Sequence, residues 1–135
     1  MQISIRPIGD TISVGINSNY FVYCLSTALA PRLFLDFGYD ACIVVSNWRA
    51  FAEKLFSNVE VLLPKGWTGY FLAMQYIDPV NSRMVGVDVF RTKHFRYAYQ
   101  KEKRFVWLPP EPRADLEPFF VELGSLRDCC ELVQI

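Results

Sequence analysis

The sequence predicts an α+β fold: a mostly antiparallel β-sheet of about six or seven strands with two or three short helices, in a single domain spanning residues 1–135. Three observations carry that expectation. Short runs rich in aromatic and β-branched residues, such as NYFVYCLS at 19–26 and ACIVV at 41–45, are bounded by Gly, Pro, Asn and Asp. Helical spacing occurs only in brief stretches, and strands alternate with helices too irregularly for a doubly wound parallel sheet. A length of 135 residues and a hydrophobic fraction of 52% suffice for one packed core.

The elements follow in order. Ile3 and Ile5, then Ile12, Val14 and Ile16, alternate around a turn at Pro7 to Asp10 and predict a short strand pair. Asn19 to Ser26 reads as a buried strand. Within Thr27 to Gly38, Pro31 suits a first helical turn and Gly38 can end the helix. Ala41 to Val45 is a strand. Ser46 or Asn47 then caps a helix whose Trp48, Phe51 and Leu55 recur at three and four residues. The second half reads mainly as β: Val59–Leu63, Tyr70–Ile77, Met84–Phe90 and a long strand over 97–107, separated by turns at Pro64–Gly66 and Asp78–Ser82. Pro109, Pro110 and Pro112 stop that strand and stiffen the loop to Pro118. Phe119 to Leu123 is a further strand. Ser125 with Asp128 resembles a capping box for a last helix using Leu126, Cys129, Cys130 and Val133.

Charge is balanced at 14 basic and 14 acidic residues, but its distribution is uneven. From Arg83 to Arg104 seven Lys/Arg face only Asp88 and Glu102, a net of +5, so the remainder carries −5. Such a window attracts anions. The acidic C-terminal third argues against a long polyanion, so nucleic acid is not expected as the partner. The four cysteines have no C-x-x-C spacing and the chain has one histidine, His94, so no metal site is expected and the cysteines read as buried thiols. No apolar run approaches the roughly 18 residues that span a bilayer, and MQISIRPIGD lacks a signal peptide's apolar core. These features point to a cytoplasmic protein without a membrane partner. Phosphate-loop, nucleophile-elbow and zinc-protease motifs do not occur.

Chemistry concentrates at KHFRYAYQKEKRFVW, residues 93–107. On a strand, Gln100, Glu102 and Arg104 share one face, while Tyr99, Lys101, Lys103, Phe105 and Trp107 share the other. An amide, a carboxylate and a guanidinium at alternate positions can converge on one polar ligand. The same row also suits a solvated, charged strand edge.

Two segments, 19–45 and 90–109, resemble a large bacterial family whose members carry a C-x-S strand, a D-A-C strand and a K-x-x-x-Y-x-x-E-x-E-x-R segment. Cys24-Leu25-Ser26, Asp40-Ala41-Cys42 and Tyr97, Gln100, Glu102 and Arg104 are the matching residues, with Gln100 in place of the first acid. More remotely, the order of elements is similar to ADP-ribosyltransferases, which place a Ser-Thr-Ser strand centrally and an (E/Q)-x-E motif late. Ser26-Thr27 and Gln100-Lys101-Glu102 match, with Ala28 at the third hydroxyl position. The resemblance implies a small ADP-ribosyltransferase-like or NAD-glycohydrolase-like protein, a toxin or phage-defence component, with NAD as cofactor. It assigns Glu102, Gln100 and Ser26 to catalysis and Arg6, Thr27, Tyr97 and Arg104 to cofactor binding. The competing expectation is a non-catalytic interaction protein, an immunity or inhibitor protein, docking a partner through the charged strand 93–107. Arginine and aromatic residues are favoured anchors of such interfaces.

Overall fold

The computed structural model describes residues 2–8, 18–80 and 90–134, with only the backbone described over 2–8. Its longest helix, α2 (Trp48–Leu62), follows from one apolar stripe: Phe51, Ala52, Leu55 and Val59 are buried along a single side. Asn47 caps it by accepting a hydrogen bond from the Ala50 amide at 3.1 Å. The stripe packs on one face of a five-stranded sheet, where Phe21, Phe105, Trp107 and Val121 complete the core. Each such side chain contributes about 1.5–3 kcal/mol on leaving water. The aromatic centre is dense, with Phe71 stacked on Phe105 at 4.4 Å and Phe56 edge-on to Phe105 at 5.2 Å.

The sheet contains β1 (Gln2–Ile8), β2 (Tyr20–Ser26), β4 (Thr68–Ala73), β7 (Glu102–Leu108) and β8 (Phe119–Glu122), in the order β4-β7-β2-β1-β8. Every pairing in it is antiparallel. Two smaller ladders flank it. β3 (Ala41–Val45) pairs antiparallel with β9 (Cys130–Gln134), and β5 (Gln75–Ile77) pairs parallel with β6 (Thr92–His94). The short helix α1 (Pro31–Phe37) starts on Pro31 and ends at Gly38, whose φ of 66° is the left-handed conformation glycine adopts without penalty. The α+β architecture, with a mainly antiparallel sheet and helices against it, is the one the sequence predicts.

Several local expectations are corrected. Pro7 and Ile8, expected in a turn, continue β1 opposite Phe21 and Tyr20. Of the cysteines expected as buried thiols only Cys129 is buried, and Cys24 is exposed. Val59–Leu63 is not a strand but the last turns of α2: Val59 continues the buried stripe and is fully buried, whereas Val61 is 84% exposed. The strand expected over Tyr70–Ile77 breaks at Met74, whose amide bonds the Glu102 carbonyl and lets β5 leave the sheet. The strand expected over 97–107 begins only at Glu102. Phe95–Gln100 is a 3-10 helix, capped by His94 Nδ1 accepting from the Arg96 amide and ended by Lys101 at a φ of 41°. The C-terminal helix is absent as well. Ser125 to Cys129 makes a single turn, and residues 130–134 are drawn into the ladder with β3, because that strand's backbone groups need a partner. The expectations for Ile12, Val14, Ile16 and Met84–Val89 lie outside the described residues. Among the described residues no helix is long and apolar enough to cross a membrane.

A candidate charged site at the start of β7

The alternation of β7 divides its side chains between two environments. Phe105 and Trp107 enter the core beneath α2, while Val106 joins Tyr20, Val22, Leu72, Phe90 and Leu108 on the opposite face. Glu102 and Arg104 extend that second face. Above it lie β5, β6 and the 3-10 helix. They are tied down by the Gln75 amide to the Arg91 carbonyl at 2.5 Å, and by the Tyr76 hydroxyl, which accepts from the Glu102 amide at 2.7 Å.

Under this cover Glu102 is held on both oxygens. Arg104 Nε donates to Oε1 at 2.5 Å and Lys93 Nζ to Oε2 at 2.8 Å. The three side chains are only 10%, 13% and 25% exposed for Glu102, Arg104 and Lys93, so the pairs are largely shielded from water. Lys93 Nζ also donates to Gln100 Oε1 at 2.6 Å, and Gln100 Nε2 donates to the Tyr99 hydroxyl at 3.3 Å. Burial alone would raise the Glu102 pKa, but the hydrogen bonds from Lys93 and Arg104 outweigh it and hold the carboxyl below its ordinary value. Arg104 is correspondingly raised: burial opposes its charge, and the Glu102 carboxylate more than restores it.

Cys24 lies opposite Arg104 in the β2–β7 register and Ser26 opposite Glu102. Cys24 is exposed as a residue, yet desolvation of its thiol, followed by the charge and hydrogen bond of Glu102, pushes it up to about 12. A thiol in that state is a poor nucleophile at neutral pH. The Ser26 hydroxyl, although adjacent to the site, serves the backbone. It lies 2.7 Å from the Gln100 carbonyl and 2.9 Å from that of Ala28, and accepts from the Ala28 amide at 3.1 Å. Thr27 does the same through its hydroxyl and amide, both 3.0 Å from the Lys101 carbonyl. These two residues staple the end of β2 to the 3-10 helix.

Of the residues singled out by sequence, Gln100, Glu102 and Arg104 thus converge, with Ser26 and Thr27 alongside through the main chain. Tyr97 stands at the rim, with Lys93 Nζ 5.0 Å and Arg96 Cζ 4.7 Å from its ring. Arg6 is aligned with Val22, which is in turn aligned with Val106. Its backbone is therefore four residues along from Glu102, about 13 Å in the strand direction. Lys93 and Tyr76 were missed as members of the cluster. Lys93 had a signal in the charge excess around Glu102; Tyr76 had none, because only the return of β5 brings it there. Among the described residues no group of three or more His, Cys, Asp and Glu is placed to hold a metal ion.

The fold and the cluster define an α+β protein with a shielded, ionised carboxylate clamped by two cations. No family model, curated protein or solved structure matches the chain.

Proposed function

We propose that the protein is a non-catalytic interaction protein that docks an acidic partner protein through the segment 93–107. One observation carries this reading: both oxygens of Glu102 are already engaged by cations of the same chain, which makes the shielded cluster a brace for the segment. What the brace presents outward is His94 stacked on Phe95 at 4.9 Å, Phe95 itself 51% exposed, and Arg96 bonded to the Tyr97 hydroxyl at 2.6 Å. Aromatic and arginine side chains on a braced turn lose little entropy on binding and make effective anchors. The net positive charge of the surrounding window favours an acidic counterpart.

Affinity capture from the native host, with the wild type and the Phe95→Ala/Arg96→Ala double variant side by side, tests the docking. A stoichiometric acidic partner is expected on the wild type, weakened at least ~100-fold by the two substitutions together and released by moderate salt. Equal retention by both proteins overturns the assignment of this surface.

A second reading, NAD processing, rests on a separate observation. Ser26 and Glu102 are register partners, and Gln100 and Glu102 share one ammonium, so the late Gln-x-Glu pair and the earlier hydroxyl meet at one sheet end. As placed, the cluster offers NAD no carboxylate oxygen free of a cation, and neither the cleft between β2 and β3 nor the one beside Val133 is lined by Glu102. This reading therefore requires Lys93 or Arg104 to swing aside. Nicotinamide release from NAD by the wild type but not by Glu102→Gln supports it; no release at high protein concentration ends it.

A further inference from the structure

On the core-side face of the sheet, beyond the aromatic cluster, a cleft of about 630 Å³ opens between the end of β2, α1, β3 and the start of α2. That volume lies within the range of small-molecule sites, about 300–1,000 Å³. Its walls are mainly apolar, formed principally by Leu25, Leu33, Phe34, Val45, Trp48 and Phe71, with Trp48 stacked on Phe71 at 5.7 Å, and Ser26 and Thr27 also line it.

One charged residue lines it. Lys103 places Nζ 5.3 Å from the centre of the Phe71 ring, and no acidic side chain borders the cleft. Among the described residues Lys103 has no carboxylate partner. The pleat separates it from its sequence neighbour: Glu102 and Arg104 point to the opposite face, so the Glu102 carboxylate is on the wrong side of the sheet for Lys103. A lone cation beside a half-enclosed apolar slot is complementary to an apolar body ending in one negative charge. A dianion such as a phosphate monoester would leave one charge uncompensated.

We propose that this cleft binds a small amphipathic carboxylate, of the class of medium-chain fatty acids, with its apolar body between Trp48, Phe34 and Leu33 and its carboxylate on Lys103. The site lies across the sheet from the Glu102 cluster, and the proposal is independent of the docking surface.

Calorimetric titration with decanoate and with decan-1-ol tests it on the intact chain. Decanoate is expected to bind one molecule per chain, about tenfold more tightly than the alcohol, as one charge-assisted contact supplies. Lys103→Met, which keeps an unbranched stem over Phe71, should erase that tenfold preference and leave the alcohol's affinity within about twofold. Leu33→Trp, filling the cleft from the half-exposed side of α1, should abolish binding of both. Three results overturn the proposal: no decanoate binding to the wild type, decanoate and decan-1-ol binding alike, or several molecules bound regardless of Leu33→Trp. The wild-type comparison decides the matter even should a variant fail to fold.

Discussion

Glu102 shows how one residue's neighbours set its chemistry. A carboxylate with 10% of its side chain exposed is tolerated because two cations and a hydrogen-bonded backbone surround it. Its folded-state pKa is depressed, so as pH falls the unfolded chain takes up the proton first. The stabilisation is complete above the unfolded value of about 4.3 and is lost as pH drops through the folded one. Glu102→Gln should therefore destabilise the protein by about 2–4 kcal/mol at neutral pH, leaving two shielded cations without their counter-charge. Denaturant titrations at pH 7 and pH 3 should show that deficit shrinking in acid; a deficit independent of pH would refute the ionic account. Cys24 offers a second check. Exposed as a residue but with its thiol pushed up to about 12, it should react with iodoacetamide at pH 8 more slowly in the folded protein than in the denatured chain, as read by peptide mass spectrometry. Native labelling as fast as in the denatured chain would contradict that environment.

At the scale of the element, the same local pattern can serve two structures, and packing selects one. Val59-Glu60-Val61 has the alternation of a strand, yet Val59 is also eight residues from Phe51 and four from Leu55, completing a helical stripe. Val59→Ala is expected to cost about 2 kcal/mol and Val61→Ala less than about 0.5 kcal/mol, measured by chemical denaturation. Similar costs at both positions would argue for a strand. On β4, Gly69 is set by close approach. A Cβ there would fall 2.8 Å from the Phe56 ring and 3.1 Å from the Trp107 indole nitrogen. Gly69→Ala should accordingly lower stability by about 1–3 kcal/mol, visible as a lower Tm, since two packed aromatic rings must shift. The aromatic density of 95–100 misled in the opposite direction. Phe95, Tyr97 and Tyr99 resemble alternating strand residues, but His94 caps the first turn and Lys101 ends it, and neither signal is distinct without knowing the backbone.

For the molecule as a whole, stability is distributed unevenly. β2 and β7 are each paired on both sides and carry Phe21, Val22, Phe105, Val106 and Trp107 in the two cores. α1, by contrast, has seven residues and none buried. It is held partly by Arg32, whose guanidinium lies 3.8 Å above the Tyr99 ring, and by the Tyr99 hydroxyl donating to Asp36. Amide hydrogen exchange should be slowest in β2 and β7 and fastest among the helices in α1, because so short a helix does not persist without burial. Uniform protection would contradict this picture. α1 forms one wall of the apolar cleft, and the sheet lies between that cleft and the charged cluster.

What the sequence determined by itself was whatever depends on neighbours along the chain. This covers the α+β class, the start of α1 at Pro31 and its end at Gly38, a helix cap at Ser46 or Asn47, and the placement of Glu102 and Arg104 on one face, since alternation is a local property of any strand. Packing between distant segments settled the rest. It decided that residues 130–134 pair with β3, that Val59 faces a sheet, that Lys93 and Tyr76 close over Glu102, and that Lys103 is stranded beside an apolar cleft on the other side. Those outcomes arise from contacts between distant segments, where burial and the demand of every backbone group for a partner outweigh local preference.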